Sequence, residues 1–239
     1  MLPLFYLDDL SQPLVIRGDD AHHALTVLRH KVGDRILVSN GRGEWIEGEI
    51  SEVSKKEFSV SIHSQGEEKV AQPRITVIQA LPKSDRVKEC IELLVESGAD
   101  QIIPWSAQRS ISRWQSDSPE KWSEAIRTAG KQSRRFTLPL LGEIHSTSDL
   151  VREFDTPHTY IFHEDASTPL TSSLFQSSQA PSEIKIVIGP EGGISEEELN
   201  LFTHAHRVKM GAPILRSAHA GIAAVSAVAA LTHRWSGVN

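Results

Sequence analysis

Apolar residues are spaced in two different patterns along this chain, and the pattern changes near residue 70. Before it, apolar and polar residues alternate in short runs, as they do in half-buried β-strands. The turn signal Asn40-Gly41-Arg42-Gly43 separates two of these runs, and one helix is predicted at 19–28, with acids first and bases last. The predicted strands are 35–39, 44–50 and 57–62. We predict a small barrel-like module over residues 1–70.

Beyond a polar stretch at 65–73, which we interpret as a linker, apolar β-branched runs alternate with amphipathic segments. Such runs are typical of buried parallel strands, and the segments between them are typical of helices that cover the sheet on both faces. Strands are predicted at 75–81, 101–104, 159–163, 184–188 and 207–210, and helices at 84–97 and 119–135. Residues 73–239 are therefore predicted to form an α/β domain, in which ligands bind beyond the carboxyl ends of the strands.

The composition of the chain excludes several classes of protein. It has 239 residues and a net charge of −6, so it is not a polycation, and any binding of nucleic acid needs a local basic surface. The single cysteine, Cys90, leaves no internal disulfide, and the N-terminus lacks the basic start of a signal peptide. The longest apolar stretch, Ala218–Leu231, is too short to cross a bilayer. We predict a cytoplasmic protein with no membrane partner.

A glycine-rich loop follows the strand predicted at 184–188, in the stretch "IVIGPEGGIS" that ends at Ser195. No lysine follows the glycines and the dinucleotide pattern GxGxxG is absent, while Glu191 and the acids at 196–198 would repel a polyphosphate. Ser195 and Glu198 have the spacing of a capping box, so a helix is predicted to begin at Ser195. Two interpretations stay open: a ligand loop that tolerates a cation, or an ordinary turn between strand and helix.

A second stretch with similar properties, "MGAPILRSAHAG", begins at Met210 and leads into a helix of small residues through Val228. Small residues permit close approach of a ligand, or of another helix, and the second is the more common case for this helix. Arg216 stands at the start of an apolar helix, where its charge needs an anionic partner. Arg216 could contact a substrate, or it could form a salt bridge at a dimer interface. His219 could act as a base or could simply be packed.

The two stretches, "IGPEGG" and "MGAPILRSAHA", together resemble the RsmE family of ribosomal RNA methyltransferases, which belongs to the trefoil-knotted SPOUT class. Further agreement comes from "HHALTVLRHKVGD", "NGRG", "ALPKSDRVKECIELLVESGADQIIPW", "AGKQSRR" and "YIFHEDA". The resemblance covers nearly the whole chain. It implies an N-terminal PUA-like β-barrel that binds RNA, followed by a SPOUT-type trefoil-knotted α/β methyltransferase domain. Periodicity alone predicts no knot, because knots are rare.

The resemblance also implies an activity and a site. It implies methylation of uridine N3 in small-subunit (16S) ribosomal RNA, S-adenosylmethionine as the methyl donor, and a homodimer. Carried over by position, the donor pocket comprises Phe162, His163, Glu164, Ile188, Gly189, Pro190, Glu191, Gly192, Gly193, Met210, Gly211, Ile214 and Leu215. Arg216 is the predicted catalytic residue, in contact with the uracil oxygens or a neighbouring phosphate. Many members read Arg-Thr-Glu-Thr-Ala at 216–220, so their acidic position is Ala218 here.

The stretch "RTAGKQSRR" at 127–135 contains four basic residues and no acid. On a helix these side chains share one face, which in a net-acidic protein favours contact with RNA over a merely solvated surface. The predicted RNA-binding residues are Arg29, Arg86, Arg127, Lys131, Arg134 and Arg135. The clustered histidines His22, His23 and His30 fit no standard zinc spacing, so no metal is predicted.

Three functions remain open from the sequence. The first is an RNA methyltransferase whose partner is ribosomal RNA or the small ribosomal subunit. The second is a nucleotide-binding oxidoreductase, which the missing dinucleotide fingerprint disfavours. The third is a non-catalytic RNA-binding or ribosome-assembly factor that uses the same barrel and basic residues.

Overall fold

The chain folds into two compact units, as seen in a computed structural model that describes residues 2–175 and 181–236. The first unit comprises Met1–Val70 and Gly130–Leu138, and the second comprises Ala71–Ala129 and Pro139–Asn239. The predicted division, at residues 70 and 73, placed 130–138 in the second domain. In the structure this short segment returns to the first unit.

The first unit is built on a curled five-stranded sheet with the strand order β1-β3-β4-β5-β2. Its strands β1 and β3 are parallel and its other pairs are antiparallel. The predicted helix at 19–28 is present as a short α-helix that continues as a π-helix over His23–Val27. The elements of this unit are β1 (Leu4–Tyr6), β2 (Val15–Arg17), α1 (Gly18–His22), β3 (Arg35–Ser39), β4 (Glu44–Val53) and β5 (Glu57–Glu67).

The curl of this sheet follows from its pairing. The register of β4 against β5 shifts at Glu47/Gly48 and again at Ile50/Glu52, and such irregularities bend a strand pair. A side chain at Gly48 would lie 2.5 Å from the carbonyl oxygen of Ser61, so glycine is required there. The strands enclose an apolar core that includes Phe5, Ile16, Ile36, Val38, Ile46, Ile50 and Phe58.

Specific contacts bind the segment Gly130–Leu138 to the first unit. The hydroxyl of Tyr6 donates to the carbonyl of Arg135 at 2.6 Å. The rings of Trp45 and Phe136 stack with centroids 5.5 Å apart. A side chain at Gly130 would lie 2.2 Å from Leu138, so this glycine permits the close return of the chain.

The second unit contains an eight-stranded sheet whose strands are all parallel. The order is β11-β13-β10-β12-β6-β7-β8, and β9 also pairs with β7. The elements are β6 (Arg74–Ala80), α2 (Val87–Ser97), β7 (Gln101–Ser106), α3 (Ser118–Ser133), β8 (Leu140–Leu141), β9 (His145–Ser146), α4 (Thr147–Phe154), β10 (Thr159–Phe162), β11 (Thr168–Pro169), β12 (Glu183–Ile188), α5 (Glu196–Leu201), β13 (His206–Lys209) and α6 (Ser217–Leu231). Within the described ranges no helix has the length and hydropathy to cross a membrane.

Helices cover both faces of this sheet, as the apolar runs predict. On one face, Ile78, Ile103 and Val187 of the strands pack with Leu150 of α4 and Leu199 of α5. On the other, α2 and α6 pack together so closely that a side chain at Gly221 would lie 2.7 Å from Leu94. The central strands β6 and β12 therefore send alternate side chains to opposite faces of the sheet, and both faces are buried.

Three predicted boundaries are wrong in detail. The predicted helix 119–135 ends at Ser133, because Arg134 takes a left-handed backbone conformation with φ of 56°. The predicted linker begins too early, since β5 continues to Glu67. The helix predicted at 84–97 starts as a 3₁₀ turn over Ser84–Arg86 before α2. Helix α4 was not predicted, although Ser146 and Asp149 form a capping box at its start.

Candidate active site

Two adjoining clefts open at the carboxyl edge of three neighbouring strands, β13, β10 and β12. We call them the strand-end cleft, of about 230 Å³, and the loop cleft, of about 280 Å³. They share walls formed by Phe162, His163, Glu164, Ile214 and Leu215. This is the edge at which parallel α/β sheets bind ligands.

The structure brings the predicted pocket residues together here, from three separate stretches of chain. The segment after β10 supplies Phe162, His163 and Glu164; the end of β12 and its loop supply Ile188, Gly189, Pro190, Glu191 and Gly193; the segment after β13 supplies Met210, Gly211, Ile214 and Leu215. Gly192 belongs to the predicted set but lies outside the walls of both clefts. Its carbonyl accepts a hydrogen bond from Arg109 at 3.2 Å.

A chain of hydrogen bonds fixes the base of the glycine-rich loop. Gln79 of β6 is fully buried, and its Nε2 donates to the hydroxyl of Ser217 at 3.1 Å. The Ser217 hydroxyl in turn donates to the carbonyl of Gly189 at 2.6 Å. The start of α6 is thus tied to the end of β12 by a buried serine.

Helix α5 anchors the other end of the loop. The predicted capping box is present: the Ser195 hydroxyl accepts from the amide of Glu198, whose carboxylate accepts from the Ser195 amide. Buried Glu198 also accepts from the amide of Gln108 at 2.8 Å and from the Thr147 hydroxyl at 2.7 Å. With both ends held, the loop is positioned before any ligand binds.

The walls of the two clefts combine apolar surface with opposing charges. Met210, Ile214 and Leu215 are exposed large apolar side chains on one wall, and Ile214 is 80% exposed. Exposed apolar residues that cluster beside a cleft are typical of a surface that a ligand or a partner covers. The carboxylates of Glu164 and Glu191 favour a ligand with a cationic group over a phosphate.

A third cavity, of about 170 Å³, lies beside the loop cleft, and we call it the Arg86 cavity. Arg216 and Glu191 line both this cavity and the loop cleft. The remaining residues of its wall are Lys83, Asp85, Arg86, Glu89, Ala218 and His219. Arg216 precedes α6 as its N-cap residue, and its side chain makes no capping bond.

Ion pairs order the Arg86 cavity. Arg86 donates to one oxygen of Glu89 at 2.7 Å, and His219 Nε2 lies 3.3 Å from the other. The hydrogen bond from Arg86, followed by that from His219, holds the pKa of the Glu89 carboxyl below its usual value. Glu191 lines both the loop cleft and this cavity, and its carboxylate accepts a hydrogen bond from the amide of Lys83 at 3.2 Å.

Cys90 plays no nucleophilic part at this site. The residue is fully buried and lines none of the three cavities. Burial raises the pKa of its thiol to about 12, so the thiol is protonated at neutral pH.

The predicted RNA-binding residues are divided between the two units. Arg29, Lys131, Arg134 and Arg135 belong to the first unit, and Arg86 and Arg127 to the second. The predicted single helical face is wrong, because α3 ends before Arg134 and Arg135. Lys131 forms an ion pair with Asp20 at 2.5 Å. Of the six predicted RNA-binding residues, Arg86 is the one that lines the same cavity as Arg216.

Sequence reasoning missed several residues of the site. Lys83, just before the helix predicted at 84–97, and Glu89, on that helix, are charged residues at positions expected to face solvent, so the sequence pattern did not single them out. Arg109 lies in a loop distant in sequence, yet it contacts Gly192. Gln79 carried a usable signal, since it is a polar residue within the apolar run of β6. A buried polar side chain in such a strand needs hydrogen-bond partners.

Known proteins match this chain along almost its whole length. A profile of an RNA methyltransferase domain matches residues 69–229, and a profile of an RNA methyltransferase PUA domain matches residues 16–62. Ribosomal RNA small subunit methyltransferase E of Mycobacterium bovis is 32% identical over 97% of this chain and 93% of that protein. The chain belongs to the ribosomal RNA small subunit methyltransferase E family. The Bacillus subtilis member is 30% identical, over 93% of this chain and 91% of that protein.

A solved structure agrees with this assignment. A putative methyltransferase from Legionella pneumophila, determined in complex with bound S-adenosylmethionine, superposes with a TM-score of 0.85. It is 27% identical and the match covers 96% of this chain and 98% of that one. The N-terminal PUA domain and the parallel-sheet methyltransferase domain expected for this family are therefore both present.

Proposed function

We propose that this protein transfers a methyl group from S-adenosylmethionine to N3 of a uridine in 16S ribosomal RNA. Membership of the small subunit methyltransferase E family supports the ribosomal RNA substrate and the methyl donor. The choice of uridine N3 rests on the family resemblance of the sequence. The observation that carries the proposal is the position of Arg216, which lines both the loop cleft and the Arg86 cavity.

The residues of the paired clefts fit S-adenosylmethionine. A side chain at Gly189 would lie 2.7 Å from Ile194, so only glycine lets Ile194 pack against the loop. Gly193 has a φ of 73°, a backbone conformation that favours glycine. The exposed Ile214 and Leu215 offer apolar surface to an adenine ring, and Glu164 offers a carboxylate to a cationic group. When bound, the cofactor supplies the methyl group that N3 receives.

Arg216 has two tasks in this proposal. Methyl transfer requires the acceptor to lie within about 3–3.5 Å of the donor, and a side chain between two adjoining cavities can orient the uracil for that approach. Negative charge develops on the uracil oxygens as N3 loses its proton. A permanently charged guanidinium stabilises that charge most strongly where water is excluded.

The surrounding cations are proposed to bind the RNA backbone. Lys83 and Arg86 flank the Arg86 cavity, and Arg86 keeps a partner in Glu89 that limits its movement. Arg29 in the PUA domain is exposed and suited to a phosphate contact. We further propose a homodimer and a cytoplasmic location. The exposed apolar side chain of Met210 is surface that a second copy would cover.

Ligand-dependent stability provides a direct test. S-adenosylmethionine or S-adenosylhomocysteine at 100 times its dissociation constant is expected to stabilise the protein by about 2.7 kcal/mol, because only the folded state binds it. The melting temperature should rise with either ligand and stay unchanged with NAD. A shift with NAD alone would favour an oxidoreductase instead.

Breaking the buried hydrogen-bond chain is expected to weaken this binding. Ser217→Ala leaves the Gly189 carbonyl without its donor, at a cost of about 1–3 kcal/mol in stability. The dissociation constant for S-adenosylhomocysteine, measured by calorimetry, should rise because the loop loses its anchor. Ser226→Ala, a half-buried serine on the same helix, should change neither quantity. Equal affinities in the two variants would refute the anchoring role of Ser217.

Mapping of ribosomal RNA distinguishes the enzyme from a non-catalytic assembly factor. 16S RNA from cells with and without the gene should differ by one methyl group on a uridine, detected by mass spectrometry of nuclease fragments. The purified protein with S-adenosylmethionine should restore that methyl group. If RNA binds but no methyl group is transferred to RNA or to small subunits, the protein is a binding factor.

A further inference from the structure

The proposed reaction leaves one task without a residue. The N3 atom of uracil carries a proton, and that proton must leave as the new bond to carbon forms. Arg216 cannot accept it, since a guanidinium has donors but no acceptor. Ala218, which also lines the Arg86 cavity, has no proton acceptor in its side chain.

The wall of the Arg86 cavity contains the candidates for this task. Lys83, Arg86 and Arg216 are cationic donors. Among the acids, Glu89 is paired with Arg86 and its pKa is lowered, which makes it a poor base. The remaining titratable groups of the wall are Asp85, Glu191 and His219. Histidine is the side chain that most often serves as a general base, which favours His219 among the three.

His219 also has a fixed partner. Its Nε2 lies 3.3 Å from Oε1 of Glu89, while Oε2 of Glu89 accepts from Arg86 at 2.7 Å. A carboxylate that accepts from Nε2 selects the tautomer with the proton on that nitrogen. The lone pair of Nδ1 is then free to accept a proton. The side chain of His219 is 45% exposed, so the imidazole is accessible from the cavity.

We propose that His219, oriented by Glu89, is the general base that removes the N3 proton of a uridine bound in the Arg86 cavity. This role rests on the proposed function. His219 follows Arg216 by three residues at the start of α6, so one helical turn presents both the base and the cation to the same uracil. Glu89 lies on α2, 130 positions before His219 in the sequence, and acts as a positioning residue.

The step balances in atoms and electrons. His219 Nδ1 takes the proton, and the electron pair left on N3 forms the bond to the methyl carbon. The carbon–sulfur bond breaks, and its electron pair stays on sulfur, which loses its positive charge. The charge appears on the imidazolium, where the Glu89 carboxylate offsets it. Water then removes the proton from His219 and restores the neutral ring.

The simpler alternative is that His219 and Glu89 only join α6 to α2. Kinetics separate the two roles, because a joining pair affects stability while a base affects turnover and its pH dependence. Wild type and three variants, His219→Gln, Glu89→Gln and the double variant, should be assayed from pH 5.5 to 9 at saturating S-adenosylmethionine. Matched controls are His158→Gln, at the far end of β10, and Glu96→Gln, on the exposed side of α2.

The base role predicts a specific pattern. His219→Gln should lower kcat by about 100-fold or more, as expected for loss of a general base. It should also remove the decrease of kcat toward low pH, which is the acid limb of the pH profile. KM for RNA and the affinity for S-adenosylhomocysteine should stay within about threefold. Glu89→Gln should lower kcat while KM for RNA stays within about threefold, because the imidazole loses the partner that orients it. The double variant should be no slower than His219→Gln, because residues that act as a unit are not additive.

A second readout needs no turnover. In carbon-13 NMR titrations of the free protein, His219→Leu should raise the pKa of the Glu89 carboxyl toward its usual value, since one of its two hydrogen-bond donors is lost and leucine supplies none. An unchanged Glu89 titration would show that the pair does not form in solution, and would overturn the proposed orientation.

The outcomes that overturn the base role differ from those that overturn the function. A wild type that methylates RNA, together with a His219→Gln variant of similar kcat and unchanged acid limb, removes His219 as the base. A loss confined to KM assigns His219 to RNA binding alone. A wild type that transfers no methyl group overturns the proposed function, and the base role with it.

Discussion

Replacement of Arg216 by alanine is expected to slow methyl transfer by about 100- to 1000-fold, the loss typical of one preorganised donor to a developing oxyanion. The fold should be preserved, because the Arg216 side chain makes no capping bond to α6 and its backbone carbonyl still accepts from His219 and Ala220. The hydrogen bond from Ser217 to Gly189 also stays, so the loop cleft keeps its shape.

The measurement is a single-turnover assay with saturating S-adenosylmethionine, paired with calorimetry of S-adenosylhomocysteine binding. The binding constant of Arg216→Ala should stay close to that of wild type. Arg152→Ala is a suitable control, since Arg152 pairs on the surface of α4 with Asp149 and should have little effect. Turnover of Arg216→Ala within tenfold of wild type would show that Arg216 does not contact the acceptor.

The second large effect concerns stability. Arg234→Ala is expected to lower the free energy of unfolding of the second unit by about 3–5 kcal/mol, the cost of leaving a buried charge without its partner. Arg234 and Asp100 are under one-tenth exposed and lie 2.8 Å apart. Arg234 also donates to the carbonyls of Ala71, Pro73 and Gly98.

Urea unfolding followed by tryptophan fluorescence measures this loss, because Trp105 is buried in β7 of the same unit. Trp45 is the one tryptophan of the first unit, so the comparison should use a Trp45→Phe background, in which the signal comes from the second unit. Lys121→Ala removes an exposed ion pair with Asp117 and should cost under about 1 kcal/mol. A similar small cost for Arg234→Ala would mean that the buried pair contributes little.

Local patterns were sufficient to predict most of the sheet, whereas the residues of the two clefts came from the family resemblance. The apolar runs of β6, β10, β12 and β13 were found within two residues of their true bounds, since a strand buried on both faces has a distinctive composition. The capping box at Ser195 was correct because it depends on residues three positions apart. The cleft residues follow three such strands, so correct strand ends placed them together.

Features that depend on distant parts of the chain were not predictable. The return of Gly130–Leu138 to the first unit depends on Tyr6, which lies 129 positions before Arg135. The pair of His219 and Glu89 joins two helices separated by 130 positions. Arg134 takes a left-handed backbone conformation where a continuous helix was predicted. The contacts that the segment makes with the first unit outweigh the helical propensity of its residues. Nothing in the local sequence marks these events.

The hydrogen bond between Ser217 and Gly189 has a thermodynamic consequence. Arg216, the proposed contact of the acceptor, precedes Ser217 in the sequence. The Ser217 hydroxyl donates at 2.6 Å to the carbonyl of Gly189, in the loop proposed to bind the donor. In the proposed function, a shift of that loop on donor binding would move the start of α6, where Arg216 lies. Coupling between two sites is reciprocal, so the factor by which the donor tightens RNA binding equals the factor by which RNA tightens the donor. In the proposed function Ser217 would couple the two substrates, so one coupling factor would describe both.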